Sequence, residues 1–107
     1  MLRIYPVLLE LVRSVGPLVK QLERRDPDLA RQCRRALASG PLNVAEGSYS
    51  RGKNRAARYH NALGSIREVL ACFEVAAALG YLPDIDASLR NRFNQVIGTL
   101  VHLVGYP

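Results

Sequence analysis

The chain has 107 residues, of which 49% are hydrophobic and 22% charged, a size and composition that suit one folded domain and exclude global disorder. With 15 Lys and Arg against 9 Asp and Glu, the net charge is +6. A balance that basic directs attention to polyanionic partners, nucleic acid or an acidic protein surface. No run reaches the ~18 uninterrupted apolar residues of a membrane span, and Glu10 and Arg13 interrupt the one signal-like stretch, MLRIYPVLLELVRSVG. The expectation is a cytoplasmic protein without a membrane partner.

In the first segment Ile4, Leu8, Leu11, Val15, Leu18 and Leu22 recur at gaps of four and three, one face of a packed helix. Gly16-Pro17 predicts that this helix is bent or in two pieces. Asp26-Pro27-Asp28 starts a second helix, with Asp26 as N-cap, Pro27 in the first turn and Asp28 complementing the helix dipole. Leu29, Cys33, Leu37 and Val44 form its inner face, and Gly40-Pro41 predicts a kink within it rather than an end. Gly47 to Gly52 is the next break.

A third helix is predicted from about Asn54 to Leu79, with Tyr59, Leu63, Ile66, Leu70, Phe73 and Ala77 inward and Gly80 closing it. Asp84 or Asp86 caps a fourth, whose stripe is Leu89, Phe93, Val96, Leu100 and Leu103. Four amphipathic helices joined by short connections make an all-α, up-down four-helix bundle occupying residues 1–107 as one domain. The segment from Val69 to Leu79 is apolar nearly all round, with Glu74 its only charge. That pattern predicts burial on more than one side, hence a subunit interface through Val69, Cys72, Val75 and Leu79.

Nothing in the chain assembles catalytic chemistry. His60 and His102 fall on different helices without ligand partners, the acids form no paired cluster, and Gly47 to Lys53 lacks the spacing of a phosphate loop. Cys33 and Cys72 belong to no metal or redox spacing and read as small buried hydrophobes. We therefore expect no enzyme, metal, cofactor or small-molecule substrate. The cations are more informative. Arg51, Arg55 and Arg58 share a face at i, i+4 and i+7, with Lys53 beside them, and Arg31 shares a face of the second helix with Arg34 or Arg35. These residues are the candidate contacts to phosphate, a role that suits the guanidinium fork.

From Arg34 to Gly47 the sequence resembles the bacterial four-helix bundle proteins first noticed in 23S rRNA intervening sequences. That family carries an Arg-rich helix and a Ser-x-Pro-x-Asn-Ile-Ala-Glu-Gly signature, matched here by Ser39, Pro41, Asn43, Ala45, Glu46 and Gly47, with Val44 for the usual Ile. The family's second block, an aromatic followed by Ala-Leu-Gly-Ser and Glu, is similar to Tyr59 through Glu68. The resemblance implies a ring-shaped homopentamer without enzymatic activity. It also implies kinship with accessory proteins of diversity-generating retroelements, which engage nucleic acid and a protein partner through basic surfaces. The signature itself reads as structural: Gly40 and Gly47 allow close approach, Asn43 satisfies carbonyls freed by Pro41, and Glu46 pairs with an Arg. Two functions follow, a basic oligomer that binds RNA or DNA and a protein–protein scaffold without direct nucleic-acid contact.

Overall fold

The computed structural model describes residues 3–105, so the first two residues of the signal-like stretch lie outside the described part. The predicted periodicities resolve into four α-helices among these residues: α1 (Ile4–Glu23), α2 (Pro27–Ser48), α3 (Gly52–Ala78) and α4 (Ala87–Val104). No strand occurs among them. The helices run up and down in an all-α bundle measuring 42 × 25 × 24 Å, α2 packing closest on α3 and α1 least on α4.

Local chemistry explains most of the boundaries. Asp26 caps α2 by accepting a 3.0 Å hydrogen bond from the Leu29 N–H, and Pro27 occupies the first turn. Of the two acids considered for α4, Asp86 is the cap, accepting from the Leu89 N–H at 2.8 Å. Gly80 adopts a left-handed φ of 77° beyond α3, and paired bonds from Gly80 N–H to the Ala77 carbonyl and Tyr81 N–H to the Ala76 carbonyl close the helix.

Several expectations change. Helix α1 is one piece through Gly16-Pro17, and Val19 is buried where the half-exposed Leu18 was expected. Pro17 is exposed, so the carbonyl that it deprives of a helical donor lies on the solvent side. Helix α2, as the sequence predicted, does not end at Gly40 and the buried Pro41. Helix α3 begins at Gly52, two residues before the predicted start, with Gly52 at φ 58° in its first position.

The inward face of α3 is also wider than a single stripe. Tyr59, Leu63, Ile66 and Phe73 are buried as expected, but Ala62, Val69, Cys72 and Ala76 join them while Leu70 and Ala77 are only half-buried. This corrects the predicted interface: Val69 (0% exposed) and Cys72 (5%) are core residues of the protomer and have no surface to offer a neighbour. The all-round apolar stretch arises because α3 is covered by α2 on one flank and by α4 on the other. Val75 (47%) and Leu79 (55%) remain exposed.

Candidate nucleic-acid interface

The α2–α3 hairpin carries every polar residue singled out by the signature and most of the arginines. Its two helices approach closely because glycines face bulky partners. A Cβ on Gly40 would lie 2.5 Å from Ile66 Cδ1, and one on Gly47 would lie 2.4 Å from the Tyr59 ring. Between these contacts Asn43 Nδ2 donates to the Ser39 carbonyl at 2.9 Å and to Ser39 Oγ at 3.0 Å. Ser65 Oγ on α3 donates to the same Ser39 Oγ at 2.9 Å, joining the two helices.

The signature is thus largely a packing and hydrogen-bonding device, with two departures from the sequence reading. Asn43 meets Ser39, whereas the carbonyl that Pro41 deprives of a helical donor belongs to Leu37. Glu46 is exposed and has no ion pair among the described residues; its carbonyl accepts from Ser50 Oγ and the Tyr49 N–H. Ala45 is half-buried on the same helix.

Cys33 and Cys72 meet across this seam, a proximity that sequence spacing could not reveal. Burial, then the neighbouring Cys72 thiol, pushes the Cys33 thiol up to about 12, and burial likewise raises Cys72. Both are held as neutral thiols, the form that neither ligates metal nor attacks disulfides. Among the described residues no group of three His, Cys, Asp or Glu side chains is placed to hold a metal ion.

On the solvent side of the seam runs a polar groove. One compartment, about 650 Å³, is lined by Asp28, Arg31, Gln32, Arg35, Ala36, Ser39, Ser65 and Glu68. A second, about 480 Å³, shares Ser39, Ser65 and Glu68 and adds Asn43, His60, Asn61 and Gly64. Ser65 and Glu68 were passed over as site residues. An antiparallel register placing Ser39 opposite Ser65 was the signal that could have found them.

The arginines divide into two groups. Arg34 pairs with Glu23 at 2.8 Å, Arg31 lies 3.4 Å from Asp28, and Arg25 stacks 5.5 Å above the Tyr81 ring. Arg35 has no ion pair among the described residues. The other group, Arg51, Lys53, Arg55 and Arg58, surrounds the start of α3, all of it exposed. None of these four has a carboxylate within ion-pair reach among the described residues, and Arg55 Nε donates to the Ser50 carbonyl at 2.9 Å. Antiparallel packing sets the groups about 20 Å apart along the hairpin, so they are not one continuous surface.

The α3 group owes its exposure to tertiary geometry. Arg55 lies in line with Tyr59, Ala62 and Ile66, the inward face, at successive helical turns. In the register of the Arg90–Glu74 pair, α4 ends opposite roughly residue 60, leaving about two turns of α3 to overhang the bundle. There the core-facing line of α3 becomes a cationic tip. The helix N-terminus adds positive potential, since the first turn of α3 contains no acid and Arg51 caps nothing with its side chain.

No described helix is long and apolar enough to cross a membrane. No curated protein matches the chain in sequence. Among solved structures, a crystal structure of a protein of unknown function from the S23 ribosomal protein family of Bacteroides thetaiotaomicron VPI-5482 superposes with a TM-score of 0.79. It is 17% identical in sequence, and the match covers 96% of this chain and 99% of that one, a likeness of fold. The family model for the 23S rRNA-intervening sequence protein matches residues 1–102, and the chain belongs to that family.

Proposed function

We propose that the protein is a non-catalytic, oligomeric nucleic-acid-binding module whose contact surface is the cationic tip of α3. The observation that carries this reading is the placement of Arg51, Lys53, Arg55 and Arg58 at the positive pole of a 27-residue helix without an acid to neutralise them. Helix starts favour acids, so four cations there cost stability that a bound phosphate would offset. Arg31 and Arg34 contribute less than the sequence suggested, because Asp28 and Glu23 already hold them. Exposed Tyr49 (84%) adjoins the tip and offers a ring for stacking on a base.

Oligomerisation would repeat the tip and raise avidity without base-specific contacts. Val75 and Leu79, exposed on the outer side of α3, are the remaining apolar candidates for the subunit contact. We expect a pentamer of about 60 kDa from an 11.9 kDa protomer, checked by light scattering at micromolar concentration. The scaffold reading draws on a different patch, Leu42 (63%) with Tyr49 on the exposed side of α2, which would dock a protein partner.

Fluorescence anisotropy with RNA and DNA across a salt series tests the first reading. Log K should fall with log salt by about 0.9 per duplex phosphate neutralised, or about 0.7 for a single strand. Changing Arg51, Arg55 and Arg58 together to Gln should weaken binding and flatten that slope while leaving helicity and oligomer mass intact. Wild-type protein that binds neither polymer at low salt would hand the function to the scaffold reading.

A further inference from the structure

The polar groove between α2 and α3 is not used by the cationic tip, and its two unpaired charges are opposite in sign. Arg35 lies one turn before Ser39 on α2, and Glu68 lies nearly one turn after Ser65 on α3. Because the helices are antiparallel and Ser65 donates to Ser39, both charges fall at the same level, on the same side of that hydrogen bond. They line one compartment of about 650 Å³. Yet, among the described residues, neither lies within ion-pair distance of the other or of any other charge. Arg31, the other cation of the groove, is occupied by Asp28.

A guanidinium and a carboxylate lining one polar slot define a complementary ligand. It must present two adjacent acceptors on one edge and two adjacent donors on a neighbouring edge. Guanine does so: O6 and N7 accept from Arg, and N1–H with the N2 amino group donates to a carboxylate. Adenine offers no pair of adjacent acceptors, and the pyrimidines lack the second edge. The same compartment presents the Ser39 and Ser65 hydroxyls and the Gln32 amide, which suit a polar heterocycle better than an apolar side chain. A base can reach that compartment only when unstacked and unpaired. Asn61 continues the α3 wall, and Arg58 follows one turn beyond it, so a strand leaving the groove runs toward the cationic tip.

We propose that the α2–α3 groove takes an unpaired guanine of a single-stranded nucleic acid, with Arg35 donating to O6 and N7 and Glu68 accepting from N1–H and the N2 amino group. This rests on the reading of the α3 tip as a phosphate-binding surface and adds base selectivity to it.

The test is anisotropy with labelled oligonucleotides of uridine containing one central guanosine, inosine, 7-deazaguanosine or adenosine, together with their deoxy counterparts. Guanine should bind about tenfold or more tightly than adenine, one good bidentate contact being enough for that. Inosine, lacking the N2 amino group, and 7-deazaguanine, lacking N7, should fall between. Glu68→Gln should abolish the preference for guanine over inosine, and Arg35→Gln that for guanine over 7-deazaguanine, each with the helical content of wild type. The triple tip variant should weaken every oligonucleotide alike and keep the preference for guanine. Equal affinities for all bases in the wild type would overturn the groove proposal and leave the tip reading standing. If no oligonucleotide binds at low salt, the tip reading and the groove proposal fail together. A preference in the ribo series and not the deoxy series would identify RNA as the source of the base.

Discussion

Between α2 and α3, two glycines set bulky side chains against bare backbone, and a serine–asparagine–serine cluster links the helices. Between α1 and α4 the arrangement is different. Among the described residues the polar link there is a single 2.7 Å bond from Arg92 to Ser14 Oγ. Helices α1 and α4 also pack together less extensively than the other neighbouring pairs. The bundle therefore has a tight seam, which carries the family signature, and a loose one, which does not. Gly40 and Gly47 are packing requirements of the first, whereas neither Gly16 of α1 nor Gly98 of α4 meets anything where its Cβ would sit. A groove with fixed walls needs the tight seam, because its polar groups keep their spacing only if the two helices cannot slide.

Gly47→Ala should give the largest effect. The added Cβ meets the buried Tyr59 ring rather than a flexible chain end, so a loss of about 3 kcal/mol is expected in chemical denaturation. A loss under roughly 0.5 kcal/mol would show that the seam is not tight. Thiol labelling probes the same seam without mutation. Cys33 and Cys72 should react about a hundredfold or more slowly than an unfolded cysteine, because labelling requires α2 and α3 to part. The linked pH effect has a definite sign. A thiol pKa raised by folding to about 12 contributes stability that is complete below its ordinary value of 9.0 and is lost as pH rises through the folded value. Denaturant midpoints should accordingly fall between those limits, and the Cys33→Ala variant should show less of that alkaline loss.

Pro41→Ala restores a backbone donor but removes a buried ring, and should cost roughly 1–2 kcal/mol. A variant that melts higher than wild type would mean that the proline is only strain. The smallest effect belongs to the solvent side of α4, where Gly98→Ala meets open space and should raise stability by about 0.5–1 kcal/mol. A destabilised Gly98→Ala protein would mean that glycine is required there too, and not only where α2 meets α3.

How much was legible beforehand follows from how local each signal is. The caps Asp26 and Asp86, the closing Gly80 and the stripes of α1, α2 and α4 were readable, since each depends on residues within a turn or two. The roles of Gly40 and Gly47 as close-approach positions were readable too, through the resemblance of the signature. What the sequence could not determine is which side of α3 meets which neighbour. Val69 and Cys72 looked like surplus apolar surface and are core, because a helix covered on two flanks buries a broader face than one stripe. Arg55 lies on the inward line yet is exposed, because α4 stops short of it. Arg35 and Glu68 share a groove, and Cys33 faces Cys72, only because an antiparallel hairpin in a definite register sets residues far apart in sequence side by side. Periodicity fixes the angle of a residue around its own helix. Its neighbours depend on the relative lengths, offsets and separation of the helices, and packing between them decides those.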